Sequence, residues 1–123
     1  MKKVVAVLGA VIASSTILAG SASAATANPA QPSATCYVAS NRHLICGNAY
    51  MAVGYADRNY ESFRGYMYST VSDFNCWGRG SSNHGGNDIW YWAQLDSPAG
   101  VWGNVPAEYV YTQNDPPAGM AEC

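Results

Sequence analysis

The clearest hydrophobic pattern in the chain is the run 88–95, where apolar or aromatic side chains occupy both sets of alternate positions. Successive side chains of a β-strand point to opposite faces, so this run predicts a strand that carries rings on both sides. The branched residues Ile89 and Leu95 favour burial of their own face. Two alternatives stay open for the other face, which either packs in a core or forms an exposed shelf. The two faces are Ile89, Tyr91, Ala93 and Leu95 on one side, and Trp90, Trp92 and Gln94 on the other.

Segments before this strand predict a hairpin. Residues 66–77 alternate imperfectly between polar and apolar positions, which favours a second strand paired with 88–95. The intervening residues 78–87 are rich in glycine and polar side chains, so they predict the long tip of that hairpin. Short runs rich in Tyr, Val and Trp that alternate with turn residues are typical of an all-β barrel or sandwich.

Segments after the strand predict a turn and further short elements. Pro98 and Gly100 favour a turn that leads into a strand at 101–105, which Pro106 should end. Residues 106–109 suffice for one 3₁₀ turn, and 110–112 predict a closing strand.

The N-terminal segment has the organisation of a cleavable export signal. Lys2 and Lys3 precede an apolar run at 4–13, and Ala-Ser-Ala at 22–24 offers a cleavage site. The apolar run is much shorter than the roughly 20 residues that a membrane-spanning helix needs. We therefore expect a signal peptide at 1–24, a secreted, extracellular protein and no membrane anchor.

Composition bounds the remaining chain to one domain. Residues 25–35 contain two prolines and no large apolar side chain, so we expect a flexible lead-in, followed by a domain at 36–112 and a tail at 113–123. Removing the signal peptide removes both lysines, which leaves four arginines against eight acidic residues, a formal charge of −4. Such a chain is a poor partner for nucleic acid, because it has no basic surface to neutralise phosphates.

Four cysteines remain, at Cys36, Cys46, Cys76 and Cys123. An even number in an exported chain predicts two disulfides, and three pairings are possible. We favour Cys36 with Cys46 across a short loop, and Cys76 with Cys123 at the tail. A redox or zinc site is disfavoured, because Cys-x-x-Cys and paired histidines are lacking in the sequence.

Residues 50–112 resemble the bacterial SH3-like (SH3b) domain of exported and cell-wall proteins. The likeness rests on Met-Ala-Val-Gly-Tyr-Ala-Asp at 51–57 leading to Phe-Arg-Gly at 63–65, and on Gly-Asn-Val-Pro-Ala-Glu-Tyr-Val at 103–110. The chain departs from the family pattern at Gly54, where the family often has Arg, and at Asn104, where it often has Trp. The tract Gly-Gly-Asn-Asp-Ile-Trp-Tyr-Trp at 85–92 and the tail at 115–123 also resemble short exported actinobacterial proteins.

The resemblance implies a small barrel of five or six strands whose relatives commonly bind cell-wall peptides in aromatic grooves. Planar rings give rigid contact area at low entropic cost, which suits such a groove. The candidate ligand-binding rings are Tyr55, Tyr60, Trp90, Trp92 and Trp102.

The sequence offers little that points to catalysis, and we expect no enzyme activity, catalytic residue, cofactor or metal. His84 and His43 have no second histidine at a ligand spacing, so solvated loop positions are the simpler interpretation. A Gly-x-Ser-x-Gly nucleophile motif is missing from the sequence, and the acid pair Asp57 and Glu61 fits a solvated loop.

Three functions remain open. The leading hypothesis is a secreted, monomeric binding module that engages cell-wall peptides or another extended extracellular ligand through an aromatic groove. The alternative is a secreted proteinaceous inhibitor or effector of an extracellular enzyme, presenting the loop at 78–88 or at 40–45. A structural surface protein that self-associates is the third possibility.

Overall fold

The computed structural model describes residues 35–123. The predicted signal peptide and the lead-in up to residue 34 lie outside the described residues. The described part is all-β, as predicted, with seven strands and one 3₁₀ helix. These are β1 (Cys36–Val38), β2 (Leu44–Gly47), β3 (Ala52–Tyr55), β4 (Phe63–Met67), β5 (Val71–Arg79), β6 (Ile89–Gln94), β7 (Trp102–Pro106) and the 3₁₀ helix Ala107–Tyr109.

The seven strands form one antiparallel sheet in the order β1-β2-β5-β6-β7-β3-β4. Strands β1 and β4 are the two edges, and within residues 35–123 no ladder joins them. The all-β class is confirmed, while closure into a barrel stays a prediction. An isolated bridge between Tyr66 and Ser97 covers the middle of the β4 edge.

The prediction of one strand over residues 66–77 was wrong. The chain leaves the sheet at residues 68–70, so β4 pairs with β3, whereas β5 pairs with β2 and β6. The break is stabilised by Asp96, whose Oδ2 accepts the backbone N–H of Tyr68 at 2.7 Å and that of Ser69 at 2.9 Å. These bonds, the one from Ser69 first, lower the pKa of Asp96.

Of the other predicted strands and turns, some are confirmed and one is wrong. The hairpin of β5 and β6, the end of β7 at Pro106 and the following 3₁₀ turn are confirmed. The predicted closing strand at 110–112 is wrong, because Val110 makes only an isolated bridge with Asn48. A single bridge leaves this segment outside the ladder.

The core lies on the predicted inner face of β6. Ile89, Tyr91, Ala93 and Leu95 are buried and pack with residues from the neighbouring strands, including Leu44, Phe74 and Val105. The Leu95 side chain packs against Gly54 of β3 and Gly103 of β7. A Cβ at position 54 would lie 2.5 Å from Leu95 Cδ2, and a Cβ at position 103 would lie 3.0 Å from its Cδ1.

Both favoured disulfides are present. Cys36–Cys46 joins directly opposed residues of β1 and β2, and Cys76–Cys123 joins β5 to the tail across 47 residues. The tail also pairs with β5 through a parallel bridge between Trp77 and Glu122. Among the described residues, no helix is both long and apolar enough to cross a membrane.

Candidate binding site

The second face of the sheet carries a row of aligned residues across four strands. Cys76 of β5 lies opposite Trp92 of β6, which lies opposite Asn104 of β7, which in turn lies opposite Tyr55 of β3. Directly opposed residues of an antiparallel pair share a face, so these four side chains lie in a row on one face of the sheet. The candidate site is built on this row.

Two of the five candidate rings on this face are buried. Trp90 is 0% exposed and Tyr55 is 9% exposed, and their centroids are 5.8 Å apart in an edge-to-face contact. The indole N–H of Trp90 donates to the carbonyl of Ser81 at 2.8 Å, which satisfies its polar atom inside the protein. Their burial leaves these rings as supports, with almost no area for a ligand, and corrects their assignment as contact residues.

The other three candidate rings keep exposed surface. Trp92 and Trp102 are half-buried and stack with a centroid distance of 6.0 Å and an interplanar angle of 21°. Tyr60 is half-buried and packs against both Tyr55 and Trp90, at 5.4 and 5.2 Å. The face of β6 that carries Trp90 and Trp92 therefore contains both expected arrangements. Trp90 is buried in a small aromatic core with Tyr55 and Tyr60, whereas Trp92 belongs to a partly exposed shelf with Trp102.

A surface pocket of about 460 Å³ lies beside the Trp92 ring. The amide of Asn104 donates to the carbonyls of Tyr55 and Ala56 at 3.3 and 3.1 Å, which ties the loop after β3 to the pocket floor. The pocket thus combines one large ring, both signs of charge and an amide. It is lined by Ala56, Asp57, Arg58, Cys76, Trp92, Asn104 and Cys123.

Arg58 is one of the pocket residues that the sequence did not predict. A signal was present at the end of β5, where Gly78 lies inside the strand and Gly80 directly follows its last residue, Arg79. Glycine inside a strand often marks the close approach of another group, and the structure shows that group to be the Arg58 side chain. Nothing in the local sequence identifies which residue makes the approach.

A polar cluster lies next to Tyr60, at the far end of the same face. The Tyr60 hydroxyl donates a hydrogen bond to Glu108 Oε1. The backbone N–H of His84 donates to the Tyr60 hydroxyl oxygen and to Glu108 Oε1, each at 3.1 Å. The His84 ring atom Nδ1 lies 3.3 Å from Glu108 Oε2. The His84 ring stacks on Tyr60 at 4.6 Å. Burial and the hydrogen bond to Glu108 raise the pKa of Tyr60. This cluster attaches the hairpin tip to the 3₁₀ helix.

The second histidine is also paired, since His43 Nδ1 lies 2.9 Å from Asp73 Oδ1. Within residues 35–123, no three His, Cys, Asp or Glu side chains come together in a metal-binding group. The structure therefore places the two histidines in separate pairs with carboxylates.

A row of exposed rings on the β3–β4 side is a further surface that the sequence did not predict. Phe63 contacts Tyr66 at 5.2 Å, Tyr66 stacks on Tyr68 at 6.2 Å, and Tyr68 contacts Tyr50 at 5.8 Å. Phe63 and Tyr50 are 58% and 66% exposed. Phe63 and Tyr66 lie in β4, Tyr68 follows it and Tyr50 precedes β3, so the row joins residues from separate segments of the chain.

The chain matches no protein-family model, no curated protein and no solved structure. The residues of the pocket and the shelf therefore carry the functional argument.

Proposed function

We propose that this protein is a secreted SH3-like binding module that engages cell-wall peptides, or a similar extended extracellular ligand, at the pocket beside Trp92. One observation carries the proposal, namely the open pocket of about 460 Å³ next to the stacked rings of Trp92 and Trp102. Ligand pockets commonly combine an aromatic wall with a few polar groups, and this pocket does so.

The packing beneath the pocket supports a rigid binding surface. Trp90, Tyr55 and Tyr60 fill the adjoining part of the same face, and the Cys76–Cys123 disulfide forms part of the pocket lining. A surface held in place before binding loses little conformational entropy when a ligand arrives. A pocket of this size with one aromatic wall suits one or two residues of an extended chain.

Two further features support an extracellular module. The two disulfides favour an oxidising compartment, and the N-terminal pattern favours export. The SH3-like resemblance adds the expectation of cell-wall peptides as ligand, an inference by analogy, because one fold serves many functions.

A sedimentation assay tests the proposal. The exported chain, with both disulfides intact, is incubated with purified cell-wall sacculi, which are then pelleted at several salt concentrations. We expect the protein in the pellet, and we expect Trp92→Ala to move most of it to the supernatant. Tyr37→Ala is the matched control, because Tyr37 is an exposed ring on the distant edge strand β1.

Protein that stays in the supernatant at every salt concentration would reject the proposal. Equal loss with both variants would place binding outside the pocket. Thermal unfolding of each variant must show that it is folded, since Trp92 also packs against Trp102.

A second function, inhibition of an extracellular enzyme, is favoured by the hairpin tip at residues 80–88. Asn83 is buried there and donates to Asn87 Oδ1 at 2.8 Å and to the carbonyl of Ile89 at 3.0 Å, so the tip is held in one shape. Inhibitors present such preformed loops to their targets. A panel of extracellular proteases and amylases tests this function, and no inhibition at micromolar protein would reject it.

A further inference from the structure

We propose that Arg58 anchors the ligand in this pocket and that the ligand presents a carboxylate to it. The inference rests on the proposed function and adds the chemical class of the group that is recognised. It stands on the packing of Arg58, its free hydrogen-bond donors and the charges around it.

The Arg58 side chain lies flat against β5 in a space that two glycines leave open. A Cβ at position 78 would overlap the guanidinium carbon and both terminal nitrogens, and a Cβ at position 80 would overlap the Cβ of Arg58. The backbone carbonyl of Arg58 accepts the N–H of Ser81 at 3.0 Å, which fixes the start of the side chain. The guanidinium is therefore held in one place before any ligand binds.

Most of the Arg58 guanidinium donors find no acceptor in the part of the chain that the structure describes. Arg58 donates through one terminal nitrogen to the carbonyl of Arg79 at 3.2 Å. A guanidinium has five N–H donors, and the others have no protein acceptor among residues 35–123. Within the same residues no carboxylate oxygen lies within 4.0 Å of Arg58, whereas Arg79 pairs with Asp88 at 2.8 Å. Within the described part of the chain, Arg58 thus lines the pocket as a positioned cation without an anionic partner.

The chemistry of the pocket favours a carboxylate as that partner. A planar guanidinium binds a carboxylate through two parallel hydrogen bonds, which a point charge cannot do. Asp57 lines the same pocket, and the domain carries excess negative charge, so a singly charged group is favoured over a phosphate. Trp92 forms an apolar wall of the same pocket. This combination suits the C-terminal carboxylate of a peptide, or an acidic side chain, next to an apolar part of the chain.

Two probes that differ only at one group test the inference. The exported chain, labelled with ¹⁵N, is titrated with N-acetyl-triglycine and, separately, with its C-terminal amide. We expect the acid to shift the Arg58 side-chain and Trp92 indole signals saturably, and the amide to bind at least about tenfold more weakly. This comparison uses the unaltered protein, so it does not depend on a variant that folds.

Three variants locate the effect. Arg58→Gln should abolish the preference for the acid, and Arg58→Lys should reduce it, because lysine keeps the charge but loses the planar fork. Arg64→Gln is the matched control, since Arg64 is an exposed arginine on β4 and should leave the preference unchanged. Equal binding of acid and amide, or an acid preference that survives in Arg58→Gln, would overturn the inference.

A third probe, methyl phosphate, carries more than one negative charge at neutral pH and so separates carboxylate from phosphate recognition, and tighter binding of the phosphate would overturn the carboxylate assignment. The sedimentation assay separates this inference from the proposed function. Sacculi that retain the protein without any acid preference would reject the role of Arg58 and keep the binding module. An acid preference without sacculus binding would keep the role of Arg58 and reject the cell-wall binding module.

Discussion

Leu95 and Gly54 illustrate how single residues determine the packing of this sheet. The Leu95 side chain occupies the volume that a Cβ on residue 54 would need. Leu95→Ala should cost about 2–5 kcal/mol of unfolding free energy, because it leaves a cavity, and Gly54→Ala about 1–3 kcal/mol, because it overfills the site. The double variant should lose less than the two costs added, since the new methyl group enters the space that leucine vacates. Urea denaturation of the four proteins measures this coupling, and additive costs would contradict the packing.

Tyr91 gives the stability a defined dependence on pH. Its buried hydroxyl donates to Asp115 Oδ1 at 2.6 Å, and burial, followed by this hydrogen bond, raises its pKa above the ordinary value of 10.0. The unfolded chain loses that proton near pH 10 while the folded chain keeps it. The stabilisation is therefore complete below pH 10 and decreases as the pH rises further.

The expected loss is at most about 1.4 kcal/mol per pH unit above 10 for Tyr91. Tyr91→Phe should lower the stability at pH 8 by about 1 kcal/mol but reduce the loss between pH 10 and 11. Urea denaturation at pH 8, 10 and 11 measures both quantities. A Tyr91→Phe profile parallel to that of the unaltered protein would contradict the assignment.

At the scale of elements, the two disulfides should contribute unequally. In the loop-entropy description, a bridge over 47 residues is worth about 4 kcal/mol and one over 10 residues somewhat under about 3 kcal/mol. Replacing Cys76 and Cys123 by serine should therefore destabilise the protein more than replacing Cys36 and Cys46. Thermal and urea unfolding of the two double variants measures the order, and the reverse order would show that native contacts outweigh loop closure.

Elements governed by local sequence were predictable, and elements governed by distant partners were not. The alternation in β6 predicts both its strand and its core face, and Pro106 marks the end of β7. The break at residues 68–70 depends on Asp96, which lies almost thirty residues further along the chain. Local patterns cannot show such a partner, so the break was missed.

The candidate site follows the same rule. The shelf ring Trp92 was predictable, because it belongs to the most regular alternation in the chain. Arg58 was not predictable as a pocket residue, since the loop that carries it reaches the site through contacts with β5 near Gly78. The burial of Trp90 likewise depends on Tyr55 and Tyr60, which come from other elements. A site assembled from several elements is visible in the sequence only in part.

Viewed as a whole, the domain uses both faces of one sheet for packing. The inner face holds an aliphatic core around Tyr91, and the second face holds a smaller aromatic core around Trp90 with a pocket beside it. A small domain has little volume for a conventional core, so aromatic packing on the second face and two cross-links add stability. The proposed ligand contacts on that face therefore involve side chains that packing already holds in place.

The same organisation requires a compartment where the cross-links can form, which leads to a prediction about the full chain. Expressed with its own N-terminus in an exporting bacterial host, the protein should be recovered from the medium starting at Ala25, cut after the Ala-Ser-Ala tract at 22–24. Mass spectrometry of the unreduced protein should find it four hydrogens lighter than the reduced form, with Cys36 linked to Cys46 and Cys76 to Cys123. Ala24→Trp should block the cut, because the peptidase requires a small residue there, and leave the chain cell-associated. Unaltered protein that stays in the cytoplasm with Met1 retained and four free thiols would contradict both the export and the oxidising environment on which the proposed function depends.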